Sequence, residues 1–586
     1  IGDGTALLRA GNPGITRIVP MKVIRALEHC RGFKTLDHHL RTMIDRGIGM
    51  EEGPEAILEV LHGLVEKGLL VPWAEFLARI REPLSISPAF PSSVLLPPGS
   101  PPSRWAPLAA PILENAREHG RAVRLLVVGG EGESSLRRDG LSHLNAARVR
   151  LGLPIEVAGP EEILAFQREL VRRTGLPPER VAFALGDPSG LGDGAGWNAY
   201  LLGTAGECVV TVDPDTRCRI ALPRSGMREG FGFSSHDDPI EERYADNREH
   251  TLTLVEVVDR DLLALHAGFL GRSLWECTGR ATPAPMEDVS EQQLAALAHG
   301  DGRISATVPG GIRGIPNGSS LVNSVRRRRA PIRPKDGGAA FHHLRSGGEI
   351  LRCVSRATVA GISAAEIVGA GLDNRELLPP FFPALQGGQK AFWTVLERCF
   401  DRQFIVHLPW MAWPEPWGSE MPQGTATGSP PREFFVERVL TVCMEAFILG
   451  PFKRSPGDRM RALGRQLVDL ASLASPDFDD VMRRLLWRKD SDSLLELDRR
   501  LAESRDGAEG LTRELEQLME GIRARMMRPD YLVPADLGGS ARSSAEACAL
   551  SQGLVRAYGC LLEDWPDLWS AARELRAAGG SPFKAI

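Results

Sequence analysis

Apolar residues recur at three- and four-residue spacing through the first part of the chain. The spacing is clearest in the segments MKVIRALEHC, LDHHLRTMIDRG and PEAILEVLHGLVEKGLLVP. Such a period is typical of helices that bury one face, and Pro54 stands where the last of these helices is expected to begin. The pattern predicts a small helix-rich module over residues 1–82, with a terminal β-wing at LLVP.

A different pattern follows from about residue 90. Short, continuous apolar runs, which predict strands covered on both faces, alternate with helical patterns; the runs are SSVLLP, AVRLLVVGG, PIEVAG, VAFAL and ECVVTVD. Alternating strands and helices predict an α/β fold with a mainly parallel sheet, in which ligands gather at the carboxyl ends of the strands. From about Arg432 the pattern is almost wholly helical. We therefore expect a core over residues 90–425 and a helical C-terminal region over 430–586.

Composition and charge narrow the function classes. The chain has 586 residues, of which 43% are hydrophobic and 25% are charged, enough for several domains at about 150 residues each. Its net charge of −5 argues against the strongly basic surface of a nucleic-acid-binding protein. No nucleic-acid partner is expected.

Cysteine usage and the longest apolar run bear on the compartment. Nine cysteines are scattered without a CxxC motif, so neither a disulfide framework nor a structural zinc site is predicted. This favours a reducing compartment, and we expect a cytoplasmic protein. The longest apolar run starts at Val439, contains Glu445 and is shorter than the ~20 residues that span a bilayer, so no membrane span is predicted.

Two aspartates, one residue apart, follow the strand ECVVTV. Asp213 and Asp215 can reach one divalent cation together, and hard carboxylate oxygens suit Mg²⁺ or Mn²⁺. The spacing by itself is not decisive, because Asp-x-Asp also occurs elsewhere in the chain and DPDT is a good turn sequence. Metal binding and a plain turn both stay open on the spacing alone.

The order of segments around this pair resembles the nucleotide-sugar-binding half of the GT-A fold glycosyltransferases. In that family a first strand ends in a proline, a second ends beside the base, a glycine and an asparagine lead a short helix, and a further strand delivers Asp-x-Asp. Here these features are Pro97, the run VRLLVVGG, Gly194 or Gly196 with Asn198, and Asp213 with Asp215. The similarity covers roughly residues 92–219 and extends more faintly to about residue 416.

The resemblance implies a nucleotide-sugar donor, a Mn²⁺ or Mg²⁺ cofactor, and a peptide or small-molecule acceptor. By position, Asp213 would face the ribose or the metal, and Asp215 the metal that bridges the diphosphate. His407, after the strand QFIV, would be a third metal ligand. The residues implied in donor or acceptor binding are Pro97, Glu131, Glu133, Asn198, Asp213, Arg352 and Arg356.

The chain departs from the family pattern at two positions. The second strand usually ends in an aspartate that reads the base, whereas this chain has Gly129 and Gly130 there, which leaves only the two nearby glutamates. Inverting members carry an acidic general base just before the helix that follows the acceptor loop, where this chain has Gly388. Asp373 or Glu376, in GLDNRELLPP, is the expected substitute; the alternatives are a retaining transfer or a fold that has lost its chemistry.

The N-terminal module resembles, by its hydrophobic spacing, the winged-helix modules of the PqqD-like type. The order is a short IVP strand, then ALEHCRGFKTLDHHL and EVLHGLVEKGLL. The resemblance implies a module that binds the leader peptide of a ribosomally made peptide. A packing or dimerisation module is the alternative.

The expectation from the sequence is therefore a metal-dependent glycosyltransferase, with two rivals. One is a non-catalytic binding or scaffold protein built on a degenerate core. The other is an NAD(P)-dependent oxidoreductase, because GLGDGA from Gly190 matches GxGxxA and Asp213 follows about 20 residues later. Against the oxidoreductase, the run VAFAL ends several residues before the first glycine.

Overall fold

The computed structural model describes most of the chain. The described residues are 5–9, 16–21, 23–24, 27, 30, 34–45, 53–72, 75–76 and 90–586, without 130–133, 187–192, 213–215, 236–238, 279–288, 315–348, 361–368, 385–387, 415–435, 447–454, 505–508 and 538–542. Within these residues no helix combines the length and the apolar character needed to cross a membrane.

The N-terminal module has its own small apolar cluster. Strands β1 (Thr5–Arg9) and β2 (Thr16–Pro20) pair in antiparallel fashion, and helices α1 (Leu36–Asp45) and α2 (Gly53–Glu66) follow. The helices bury Met43, Ile57, Leu61 and Leu64 together.

The predicted β-wing at LLVP is wrong. The backbone N–H groups of Leu69 and Leu70 both donate to the carbonyl oxygen of Leu64. The segment therefore closes the end of α2, where the last helical carbonyls need donors, and it pairs with no strand in the part of the chain described.

A sheet of 14 described strands forms the centre of the rest of the molecule. The strands are β3 (Ser93–Leu95), β4 (Arg124–Val128), β5 (Ile155–Ala158), β6 (Cys208–Thr211), β7 (Thr216–Pro223), β8 (Phe231–Phe233), β9 (Glu241–Ala245), β10 (Val255–Asp259), β11 (Arg303–Gly314), β12 (Glu349–Cys353), β13 (Ala357–Ala360), β14 (Gly371–Asp373), β15 (Gln403–Pro414) and β16 (Lys584–Ala585). The main order is β10-β7-β15-β11-β14-β6-β3-β4-β5-β16, with β12 on β11 and β9, and β13 on β15 and β8.

Helices flank this sheet and make up the C-terminal region. Those of the core are α3 (Pro102–Glu118), α4 (Ser134–Leu151), α5 (Pro160–Thr174), α6 (Pro178–Leu185), α7 (Asp193–Gly203), α8 (Arg248–Leu254), α9 (Leu262–Ala267), α10 (Leu274–Thr278), α11 (Glu291–His299) and α12 (Gln389–Cys399). The C-terminal helices are α13 (Val436–Ala446), α14 (Pro456–Ala471), α15 (Ser475–Ser504), α16 (Glu509–Met526), a 3-10 turn (Ala535–Leu537) and α17 (Ser544–Ala577). The predicted α/β class, with a helical C-terminal region, is confirmed.

The parallel part of the sheet has a reversal in strand order at its centre. Strands β5, β4, β3 and β6 are mutually parallel, and β3 lies between β4 on one side and β6 on the other. The short β14 is antiparallel to both β6 and β11, whereas β11 and β15 are parallel. In open α/β sheets the crevice at such a reversal, outside the carboxyl ends of the strands, is where ligands bind.

The run VAFAL is a helix, and the prediction of a strand there is wrong. Residues 181–185 form the second half of α6, which starts with Pro178 in its first turn, a position that favours helix initiation. Val181, Ala184 and Leu185 are buried on one side. A five-residue apolar run does not by itself distinguish a buried strand from a helix face.

The C-terminal helices share one apolar cluster with the core. Trp197 on α7, Phe392 on α12, Leu440 on α13, Leu463 on α14 and Trp565 on α17 belong to the same buried group. The change at about residue 430 is therefore a change of secondary structure within one continuous hydrophobic core. The chain then returns to the sheet, where β16 pairs with β5.

Candidate functional site

The loop after β3 is a tight turn at the carboxyl edge of the parallel strands. The backbone N–H and the hydroxyl of Ser100 both donate to the carbonyl oxygen of Pro97, at 3.3 and 2.8 Å. Gly99 has a φ of 76°, a left-handed conformation that glycine adopts without steric cost. The indole N–H of Trp105 donates to Ser100 O at 2.9 Å. Pro97 is thus held in place at the carboxyl end of β3, and its role in donor binding stays a prediction.

The end of β4 forms two hydrogen bonds with the side chain of Tyr200 on α7. The Tyr200 hydroxyl accepts from the backbone N–H of Val128 at 2.8 Å and lies 3.2 Å from Leu126 O, to which it donates. Tyr200 is fully buried, and burial raises the pKa of its hydroxyl well above the ordinary value. The hydroxyl therefore stays neutral and can serve both backbone groups.

Gly129, at the position where the family has a base-reading aspartate, is closely packed. Its backbone N–H donates to Ala158 O at 2.9 Å, and a Cβ atom there would lie 3.2 Å from the Trp105 ring. A side chain at residue 129 would need the indole to shift by a few tenths of an ångström. The expected substitutes, Glu131 and Glu133, lie outside the described residues.

The first turn of α7 lies over the loop that follows β3. A Cβ atom on Gly196 would be less than 3.0 Å from Pro98, and one on Gly194 would be less than 3.0 Å from the carbonyl oxygen of Phe382. Because neither glycine has a side chain, the backbone of α7 can lie directly against Pro98 and against the Phe382 carbonyl group. The two glycines bring the start of α7 between the β3 loop and the segment that contains Phe382.

Asn198 is buried, and its amide serves the protein backbone. Its Nδ2 donates to Ala184 O at 2.9 Å and to Phe381 O at 3.0 Å, while its Oδ1 accepts from Phe381 N at 2.8 Å. The side chain joins α6, α7 and the segment around Phe381. Its role in donor binding stays a prediction, and a direct contact with a donor would compete with these hydrogen bonds.

Asp213 and Asp215 lie outside the described residues, but the residues on both sides of them are placed. Val212 N donates to Leu95 O at 2.9 Å, which continues the pairing of β6 with β3 at its carboxyl end. Thr216, the first residue of β7, lies opposite Pro414 near the end of β15. The chain enters and leaves the Asp-x-Asp at the carboxyl ends of β6 and β15.

His407 lies on β15, between Val308 of β11 and Thr358 of β13. It is buried, and its Nε2 has no hydrogen-bond partner within the described part of the chain. Burial, assisted by the positive charge of Arg352, lowers the pKa of its imidazole to about 4. His407 is therefore a neutral imidazole at pH 7, which is the form that binds metal ions.

The fit of a metal ion to these residues is partial. The free Nε2 of His407 and the carboxylates predicted for the ion are suitable donors, but the nearby Arg352 guanidinium would repel a cation. Within the described residues no three His, Cys, Asp or Glu side chains are grouped so as to hold an ion. A metal site here depends on Asp213 and Asp215.

The two arginines are placed differently. Arg352 Nε lies 3.3 Å from Glu242 Oε1 across β12 and β9, with the arginine 14% and the glutamate 5% exposed. Arg356 lies beside Gly232, where a Cβ atom would be 2.7 Å from its Nε. The structure thus brings Arg352 close to His407, although Arg352 already pairs with a carboxylate.

Asp373 and Glu376 lie at the other end of the sheet. Asp373 is opposite Cys208, the first residue of β6, whereas the Asp-x-Asp follows the last. Val212 is four residues after Cys208, which is a distance of about 13 Å along a strand. Glu376, 58% exposed, is 3.5 Å from Arg303. This placement corrects the expectation that either residue replaces a general base at the carboxyl edge.

Asp373 is instead enclosed by positive charge. Arg375 Nε and Arg303 Nε donate to its carboxylate at 2.8 and 2.7 Å, and Cys208 Sγ lies 3.1 Å from Oδ1. Burial raises the pKa of Asp373, but the hydrogen bond from Arg375 and the charges of both arginines outweigh it and hold the pKa below its usual range. The carboxylate stays ionised and paired, which is a structural role.

Several residues at this site carried no signal in the sequence. Trp105 and Tyr200 each lie on a helix, and a helical pattern does not indicate the backbone groups with which their side chains form hydrogen bonds. Side-chain-to-backbone bonds of this kind leave no periodic pattern. They become visible only when the partner segment is placed.

Comparison with family models, with curated proteins and with solved structures finds no significant match to this chain.

Proposed function

We propose that this chain is a metal-dependent glycosyltransferase that moves a sugar from a nucleotide-sugar donor to a peptide or small-molecule acceptor. The observation that carries the proposal is the reversal in strand order between β3 and β6, with Pro97 following one strand and Asp213 following the other. A crevice at such a reversal is the preferred ligand site of open α/β sheets.

Asp213 and Asp215 are the proposed ligands of Mn²⁺ or Mg²⁺, with neutral His407 as a further donor. A bound divalent cation would stabilise the negative charge that develops on the diphosphate leaving group. The Pro97 turn and the first turn of α7 would form the walls against which the donor lies. The acceptor would attack the anomeric carbon as the bond to the diphosphate oxygen breaks.

The proton acceptor for this step is neither Asp373 nor Glu376, because both lie at the opposite edge of the sheet. Asp373 is held by two arginines at the opposite edge, and Gly388 has backbone where a carboxylate side chain would have to be. A retaining transfer, or a base among the residues outside the description, remains compatible with the proposal.

A non-catalytic binding protein is the second candidate. It is favoured by the close packing at Gly129 and Gly388, the two positions where the family pattern has carboxylates. The oxidoreductase has less support, because the element before Gly190 is helix α6, whereas the dinucleotide fingerprint needs a strand there.

The test is calorimetric titration of UDP-sugars and related donors, with and without Mn²⁺, into the full chain and two variants. Asp215→Asn should lower the Mn²⁺-dependent affinity about tenfold or more. Asp492→Asn, another Asp-x-Asp position that is exposed on α15, should bind like the parent chain.

Each result has a defined meaning. Equal affinity in Asp215→Asn would remove the metal assignment. Donor binding without turnover to a free sugar or a glycosylated acceptor would favour the binding protein, and binding of NADH but of no sugar donor would favour the oxidoreductase.

A further inference from the structure

A proline-rich segment runs from one edge of the sheet to the other. Residues 374–384, NRELLPPFFPA, follow the end of β14 at the amino edge of the parallel strands and reach Phe382, which touches the start of α7 at the carboxyl edge. The three prolines have no backbone N–H to donate, and the segment forms neither helix nor strand. Its carbonyl groups therefore need donors from elsewhere.

Helix α17 supplies those donors along one face. The hydroxyl of Tyr558 donates to Pro380 O at 3.0 Å, and the indole N–H of Trp565 donates to Leu378 O at 2.7 Å. The indole N–H of Trp569 donates to the Asn374 side chain at 3.0 Å. The donors are seven and four residues apart, which places them on the same side of a helix.

The opposite side of the segment is held by α7 and α12. Asn198 bonds both the N–H and the carbonyl of Phe381, whose ring stacks on Phe392 at 4.5 Å between centroids. The Phe382 ring meets the Tyr558 ring edge-on at 5.6 Å. Residues 374–384 are therefore held between α7 and α12 on one side and α17 on the other, and their position depends on all three helices.

Two helix starts depend on the same backbone atom. The carbonyl oxygen of Phe382 is the nearest atom to where a Cβ atom would stand on Gly194, at the start of α7, and on Gly388, just before α12. A shift of Phe382 would displace both starts. In the resemblance, the start of α12 is the acceptor side of the site, while α7 and Pro97 form the donor side.

We propose that Tyr558 and Trp565 are positioning residues, which hold residues 378–382 and thereby fix the starts of α7 and α12 on the two sides of the crevice. This inference rests on the proposed glycosyltransferase function. It makes the C-terminal helix part of the site, although α17 lies far along the chain from every predicted site residue. The expected effect of losing either donor is on turnover, since misplacement of reacting groups by about 1 Å costs up to about 100-fold in rate.

Tyr558→Phe is the cleanest test, because it removes one hydroxyl and keeps the ring. Tyr531→Phe is the matched control: Tyr531 is also buried in the C-terminal region, and its hydroxyl donates to Asp490 at 2.9 Å, away from residues 374–384. Trp565→Phe is the second variant. All three are made in the full chain.

The first readout is amide hydrogen exchange, which needs no substrate. Exchange at residues 377–378, 381–382 and 389–392 should be faster in Tyr558→Phe and Trp565→Phe than in the parent chain, and unchanged in Tyr531→Phe. Equal exchange in Tyr558→Phe and Tyr531→Phe would overturn the inference. If the parent chain binds and turns over no sugar donor, the proposed function fails, while this readout still decides whether α17 holds the segment.

The second readout is hydrolysis of the UDP-sugar donor found by titration. Tyr558→Phe should lower kcat about tenfold and should also raise the donor KM, because a shift of Phe382 displaces the start of α7 on the donor side together with the start of α12. Tyr531→Phe should change neither. Faster exchange with kcat unchanged would show that Tyr558 has no positioning role.

Discussion

Gly388 lies against the backbone carbonyl oxygen of Phe382, so closely that a Cβ atom at residue 388 would be less than 3.0 Å from that oxygen. Its φ of −49° is open to any residue, so contact and not backbone conformation requires the glycine. The missing carboxylate before α12 is therefore a consequence of how the chain packs. Restoring an acidic side chain would need the 381–384 backbone to move.

Gly388→Ala should destabilise the protein, because the added methyl group has to displace backbone. Overpacking of this kind costs about 1–3 kcal/mol, measured as the free energy of unfolding in urea. Gly553→Ala is the control: it lies exposed on α17 with nothing within 4 Å of a Cβ atom, and it should stabilise by up to about 1 kcal/mol. Similar stabilisation by both substitutions would contradict the packing described at Phe382.

Asp373→Asn should strongly destabilise the protein without affecting donor binding. The change leaves the guanidinium groups of Arg303 and Arg375 without their carboxylate, and breaking a buried ion pair costs about 3–5 kcal/mol. Asp259→Asn, which removes a partner of Arg219 that is 69% exposed, should cost no more than about 1 kcal/mol. A large loss of donor affinity in folded Asp373→Asn would place this residue in the site after all.

Asp564 should make stability depend on pH. Burial raises the pKa of its carboxyl from 3.8 to about 6, although Arg180, 2.8 Å away, opposes the shift. Because the folded-state pKa is above the unfolded value, the contribution to stability is present below pH 3.8 and is lost as the pH rises through 6. Melting temperatures of the parent chain and Asp564→Asn should therefore diverge in favour of the variant between pH 4 and pH 6; a constant difference would refute the shift.

Truncation within the N-terminal module should leave the melting temperature nearly unchanged only if Phe76 is kept. Phe76 is buried in a cluster with Ile220, Phe231 and Leu274 of the core, whereas α1 and α2 pack with each other. A chain that begins at residue 71 should melt close to the full chain and bind donors. A chain that begins at residue 83 should melt lower, because the cluster loses a large side chain. Equal melting of the two truncations would show that Phe76 does not anchor the module.

Local patterns along the chain were sufficient for the fold class and for the edge of the sheet where a ligand would bind. The strands around Val94, Leu126 and Val210 are continuous apolar runs, and such runs interrupted by helical periods specify a parallel α/β sheet with little dependence on distant residues. From that architecture alone, the segment after β6 lies at the carboxyl edge. The donor, the acceptor and the metal stay predictions.

Tertiary structure decided everything that depends on residues far apart in sequence. The sequence VAFAL is compatible with a buried strand and with one face of a helix. Its packing in the main apolar cluster, which buries Val181, Ala184 and Leu185 on one side, is that of a helix. Asp373 ends β14 and Asp213 comes just after β6 in the sequence, but β14 runs antiparallel to β6, so Asp373 lies opposite Cys208, at the far edge of the sheet from the carboxyl end of β6. The bonds from α17 to residues 374, 378 and 380 join positions 195, 187 and 178 residues apart. No periodicity in a local window encodes such a contact, because its energy depends on a geometry that exists only once both segments are packed.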